Sequence, residues 1–162
     1  MVATQTQQTH TRLTSDEYGE LAPGVQDGIL AISSAVKAGG VEPELLELMK
    51  LRASQINGCA YCVQLHLNVS RKMGVAPEKL DLVAVWREAG VYSEREMAAL
   101  AWTELITEIA QGVSDEAYAA VHEQFSEAEV AILTGLIIEI NAWNRLGALY
   151  RFSPPIPSQE VQ

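Results

Sequence analysis

Apolar residues along this chain recur three and four positions apart, the spacing of one helical face, and nowhere alternate as in a half-buried strand. Ser15-Asp16-Glu17 opens a short helix that Pro23 interrupts or restarts. Ile29, Leu30, Ile32 and Val36 mark a helix from Val25 to Lys37 that stops at Gly39-Gly40. Pro43 suits a first helical turn, and Leu45, Leu46, Leu48, Met49 and Ile56 carry the next helix to Asn57-Gly58. Cys59 to Met73 follows, with Val63, Leu65, Leu67 and Val69 as apolar positions and Gly74 as its stop. Pro77 opens a helix that Gly90 closes after Ala89. Ser93 with Glu96, and Ser126 with Glu129, form capping boxes for helices reaching Ala110 and Tyr150, and Ser114 starts a shorter one between them. The pattern predicts an all-α fold of about six to eight helices in a single domain over residues 15–150. A polar tail (1–14) precedes it and a Pro-rich tail (151–162) follows.

Composition narrows the surroundings of this domain. In 162 residues, 48% hydrophobic and 20% charged, there is material for one ordinary core and too little for two. The net charge is −10, the sequence pI is about 4.7, and the eleven Lys and Arg are scattered. Without a cationic patch, neither nucleic acid nor an anionic membrane is an expected partner, and an uncharged or locally guided substrate is favoured. Val130 to Ile140 is the most apolar stretch, but Thr134, Gly135 and Glu139 interrupt it. It falls short of the roughly 20 apolar residues that a bilayer span requires. Together with Trp143 it reads as core or as a subunit interface. The N-terminal segment has neither an apolar core nor a cationic leader, so a cytoplasmic location is expected.

Two cysteines, three positions apart, change the picture most. A structural disulfide closing so short a loop would restrain the unfolded chain little, so redox or metal chemistry is the better expectation. Stepping about 100° per residue puts Cys59, Cys62 and His66 on one narrow helical stripe. The unpaired N–H groups at the helix start favour a thiolate, the form that attacks a peroxide oxygen or a disulfide. The resulting sulfenic acid can condense with the neighbouring thiol, and an imidazole can move the proton. Three other readings compete. Zinc would need a fourth ligand, and His10 and His122 belong to other segments. The cysteines could simply be core residues. A thioredoxin-like motif would need a βαβ setting that is not there. Glu47, in phase with Lys50 and Ser54, reads from periodicity as part of a solvated strip.

Glu47, Asn57-Gly58-Cys59-Ala60-Tyr61-Cys62 and His66, in this order, resemble the carboxymuconolactone decarboxylase superfamily and its alkyl hydroperoxidase D-like branch. The likeness continues through RKMGVAPEKL, through Tyr92-Ser93-Glu94-Arg95-Glu96, and into Asn141-Ala142-Trp143-Asn144-Arg145-Leu146, spanning residues 43–148. The resemblance implies an all-helical fold that assembles as trimers or hexamers. It implies reduction of peroxides by the cysteine pair without a metal or organic cofactor, the electrons coming from an external dithiol. Alkyl hydroperoxidase D itself draws on a lipoyl-bearing partner, and no residue here identifies such a donor. It also implies that Cys62 is peroxidatic, Cys59 resolving, and His66 and Glu47 a proton relay, against the solvated reading of Glu47. The helix-dipole argument points instead to Cys59 as the first attacker. A redox sensor using the same disulfide, or a decarboxylase-like acid–base enzyme using His66 and Glu47, are the alternatives.

Overall fold

The computed structural model describes residues 11–157; most of the expected N-terminal tail and the end of the C-terminal one lie outside them. Within that range the regular elements are all helical. They are α1 (Ser15–Leu21), α2 (Pro23–Ala38), α3 (Pro43–Ile56), α4 (Ala60–Met73), α5 (Pro77–Leu82), α6 (Trp86–Ala89), α7 (Glu94–Thr107), α8 (Asp115–His122) and α9 (Glu127–Tyr150). Capping boxes stand at Thr14/Glu17, Ser93/Glu96 and Ser126/Glu129, the last two as the sequence predicts. The single helix expected from Pro77 to Ala89 is broken by a 3-10 turn at Val83–Val85. Leu80, Val83 and Trp86 recur every third residue, and a turn of three residues keeps all of them buried. The end expected for α7 likewise tightens into a 3-10 turn, Ile109–Gln111.

Helix α3 organises the rest. Leu45, Leu46 and Met49 pack with Val36 of α2, Trp102 of α7, and Leu133, Leu136 and Ile137 of α9. Leu48 and Leu51 join a second cluster with Val75, Leu80, Val83, Trp86, Tyr92 and Leu100. Two faces are thus apolar and covered. The third carries Glu47, Lys50 and Ser54, and it is covered too, by α4 and α9.

Polar side chains join α9 to the α3–α4 turn. Asn57 Nδ2 lies 3.0 Å from the Ala53 carbonyl oxygen, from Asn141 Oδ1 and from the Asn144 amide. Asn144 and Ser54 are fully buried, with the Asn144 amide 3.0 Å from Ser54 Oγ. Arg145 donates to Asn141 Oδ1 at 2.9 Å. The Asn141–Arg145 segment therefore fixes where α4 begins. Replacing Asn144 with Ala would strand its buried partners and should cost about 1–3 kcal/mol. Urea unfolding should show a lower midpoint with an unchanged slope.

Candidate active site

Gly58 turns the chain between α3 and α4 at φ 66°, a left-handed conformation that side chains disfavour. Cys59 follows in extended conformation as the N-cap of α4, so the helix starts at Ala60 and not at Cys59. Its N–H donates to the Ser54 carbonyl at 3.1 Å, and its Sγ accepts the Cys62 N–H at 3.2 Å. A sulfur here takes the position usually held by a Ser or Asp oxygen. Cys59 and Cys62 are joined as a disulfide, their Cα atoms 5.3 Å apart, and both are buried. Gly147 of α9 presses against this bond: a Cβ there would fall 2.6 Å from Cys59 Sγ and 3.2 Å from Cys62 Sγ.

One turn beyond Cys62, His66 points back toward α3. Its Nδ1 lies 2.8 Å from Glu47 Oε2, and Lys50 Nζ donates to Glu47 Oε1 at 3.1 Å. The solvated reading of Glu47 is corrected: Glu47 is 9% and His66 8% exposed, because α4 covers the strip. Burial pushes the Glu47 carboxyl pKa up, but the hydrogen bonds and charges of His66 and Lys50 outweigh it and hold it below its ordinary 4.5. Among the described residues, no group of three or more His, Cys, Asp or Glu is arranged to hold a metal ion.

A cavity of about 320 Å³ opens beside this cluster, lined by Tyr61, Leu65, His66, Ile140, Trp143 and Phe152, with Leu30, Ser33 and Glu139 among its other walls. The Trp143 carbonyl oxygen lies 4.0 Å from Cys62 Sγ, so a residue of the cavity wall also touches that buried sulfur. Residues after α9 close one side. Phe152 meets Tyr61 edge to face, its ring centre 5.9 Å away, and Asn68 of α4 donates to the Pro155 carbonyl at 2.7 Å. The sequence reading missed Glu139 as a cavity residue. The available signal was an acidic side chain in the chain's most apolar stretch.

Two outcomes follow from this geometry. Gly147→Ala overpacks the disulfide, by about 1–3 kcal/mol for such insertions. The dithiol can spread where the disulfide cannot, so the reduction potential should rise by about 20–60 mV. Equilibration with glutathione buffers would measure the shift. Glu47, with its folded pKa depressed, contributes stability that is complete above its unfolded value and is lost as pH falls through the folded one. Glu47→Gln should therefore be clearly less stable than wild type near pH 7, with the gap closing once the pH falls below the folded pKa. Urea midpoints on either side of that pKa would test it.

The model of the Carboxymuconolactone decarboxylase family matches residues 23–105. The uncharacterized protein YdfG of Bacillus subtilis is 36% identical over 130 residues, covering 80% of this chain and 88% of its own. Alkyl hydroperoxide reductase AhpD of Streptomyces griseus is 36% identical over a shorter 73 residues, 45% of this chain and 38% of its own. The crystal structure of ATU0492 from Agrobacterium tumefaciens, a protein of unknown function, superposes with a TM-score of 0.84 at 37% identity. That match covers 91% of this chain and all of the other. With the all-helical fold and the Cys59–Cys62 pair, these matches make the chain a member of the carboxymuconolactone decarboxylase family, in its AhpD-like branch.

Proposed function

We propose that this protein is a thiol peroxidase that reduces organic hydroperoxides through a Cys59–Cys62 disulfide cycle. One arrangement carries the reading: a redox-capable pair at a helix start, backed by the His66–Glu47 pair, whose His66 lines a cavity. In the reduced protein the Cys62 thiolate attacks the terminal oxygen of ROOH. The O–O bond breaks, Cys62 becomes a sulfenic acid, and the alkoxide leaves as ROH with a proton from the His66–Glu47 relay. Cys59 then attacks the Cys62 sulfur, forming the disulfide and releasing water. An external dithiol reduces the disulfide and is itself oxidised to a disulfide. No metal or organic cofactor enters the cycle.

Cys62 is favoured as the first attacker because it stands one turn from His66, whereas the Cys59 sulfur caps the helix and lies nearer Gly147. The dithiol in this reading is a lipoyl group carried by another protein, since such an arm can reach a buried pair. Exposed Ile138 and Leu149 on α9 would find cover in a homo-oligomer, a trimer or hexamer.

Consumption of cumene hydroperoxide with dihydrolipoamide should show many turnovers for wild type and none for Cys62→Ser. Cys59→Ser should form one trappable sulfenic acid per chain and stop. Glu47→Gln and His66→Ala should slow turnover by about 100-fold or more. Stoichiometric oxidation without turnover would replace the enzyme reading with a redox switch. Undiminished activity in Cys62→Ser would sink the cysteine mechanism.

A further inference from the structure

The ammonium of Lys50 takes no part in the cycle above, yet it sits in the middle of the cluster that does. Lys50 stands one turn after Glu47 on α3, on the strip that α4 and α9 cover, and its side chain is only 12% exposed. Among the described residues Glu47 is the acceptor and the counter-charge that its ammonium finds, Nζ donating to Oε1 at 3.1 Å. A methionine would fill this place without giving up the hydration of a cation, so packing alone does not account for a lysine here.

Glu47 and His66 share protons across the 2.8 Å contact of Oε2 with Nδ1. When the pair takes up one further proton, two arrangements can hold it. The ring can become an imidazolium beside a carboxylate. Alternatively, the carboxyl can protonate and leave a neutral ring with its hydrogen on Nε2. Burial favours the second arrangement, which carries no charge. Lys50 reverses that preference, because a neutral carboxyl would leave a buried ammonium without its counter-charge. The Glu47 carboxyl accordingly stays below its ordinary pKa in spite of burial. Among the described residues no other cation pairs with this carboxylate. Helix α4 presents His66, Glu139 of α9 lines the cavity without an ion pair, and Arg52 of α3 is bonded to Glu104 of α7.

We propose that Lys50 is the positioning residue of the relay: it pins the negative charge to Glu47, so that the mobile proton of the Glu47–His66 pair resides on the imidazole ring. With Nδ1 held by the carboxylate, Nε2 is the atom that takes and gives this proton. It has no hydrogen-bond partner among the described residues. Unlike the enclosed Nε2 of His122, it keeps accessible surface, and His66 lines the cavity. The part played in turnover rests on the peroxidase reading; the placement of the proton does not. In that cycle the Cys62 thiol proton passes to Nε2, directly or through a water. It then passes from Nε2 to the departing alkoxide as the O–O bond breaks, giving ROH, and Glu47 and Lys50 end as they began. A neutral ring with its hydrogen already on Nε2 can do neither.

The ring nitrogens of isotope-labelled histidine, observed by NMR in the full-length oxidised protein, report where the proton lies. His66 is assigned by its loss in His66→Gln. On taking up the first proton, the wild-type ring should become an imidazolium with both nitrogens protonated. In Lys50→Met it should stay neutral through that step, with its hydrogen on Nε2. Lys50→Gln, which keeps a donor but no charge, should behave as Lys50→Met does, and Lys50→Arg should restore the imidazolium. A wild-type ring that stays neutral overturns the proposal without any variant. So does an imidazolium in Lys50→Met, and Lys50→Gln decides in the same way if the Met variant does not fold. Cumene hydroperoxide turnover with dihydrolipoamide separates the two readings. Lys50→Met should lower kcat about tenfold with KM unmoved, and Lys50→Arg should recover most of the loss. A ring that changes state in Lys50→Met, with no peroxide consumed by wild type, sinks the peroxidase and supports the hold of Lys50 on the proton. An unchanged kcat in a folded Lys50→Met sinks the positioning role and leaves the peroxidase standing.

Discussion

The burial of α3 on every side is the constraint from which the site follows. A helix with a solvated face can leave its polar residues to water; α3 has no such face. Glu47 and Ser54, on the strip that faces α4 and α9, must find partners inside the protein. Glu47 finds His66 and Lys50, and Ser54 finds Asn144 and the Lys50 carbonyl. These bonds do two things at once. They satisfy groups whose burial would otherwise oppose folding, and they fix α4 against α3 with its cysteines at the turn. The acid–base pair beside the disulfide and the packing of the central helix are therefore one feature of the fold.

This explains which parts were legible in the sequence. Cys62 and His66 lie on one helix and Cys59 caps it, so their nearness follows from local spacing alone. The capping boxes are local, and Ser93 and Ser126 are where their sequence signals put them. Glu47 sits on another helix, and its own periodicity cannot reveal that α4 covers its strip. Only the family resemblance placed it beside the cysteines. The broken segment after Pro77 eluded the periodicity because spacing in threes suits both an α-helix and a tightened turn. The roles of Asn141, Asn144 and Glu139 depend on what α9 faces, which no stretch of α9 encodes by itself.

The position of Cys59 bears on the disagreement between helix dipole and family likeness over which sulfur attacks first. An N-cap sulfur receiving the Cys62 N–H is held best as a thiolate, which is why the dipole points to Cys59. A stabilised thiolate is also the better leaving group. When an incoming dithiol opens the disulfide, attack on the Cys62 sulfur with departure of Cys59 is the route this cap favours. Cys62 is also the sulfur beside the Trp143 carbonyl and one turn from His66, and Trp143 and His66 both line the cavity. In the proposed cycle one sulfur therefore meets both the peroxide and the reductant. The other sulfur stays under Gly147, stabilised by the helix start in whichever step releases it. The dipole then favours Cys59 as the departing and resolving thiolate, and it no longer conflicts with Cys62 as the attacker.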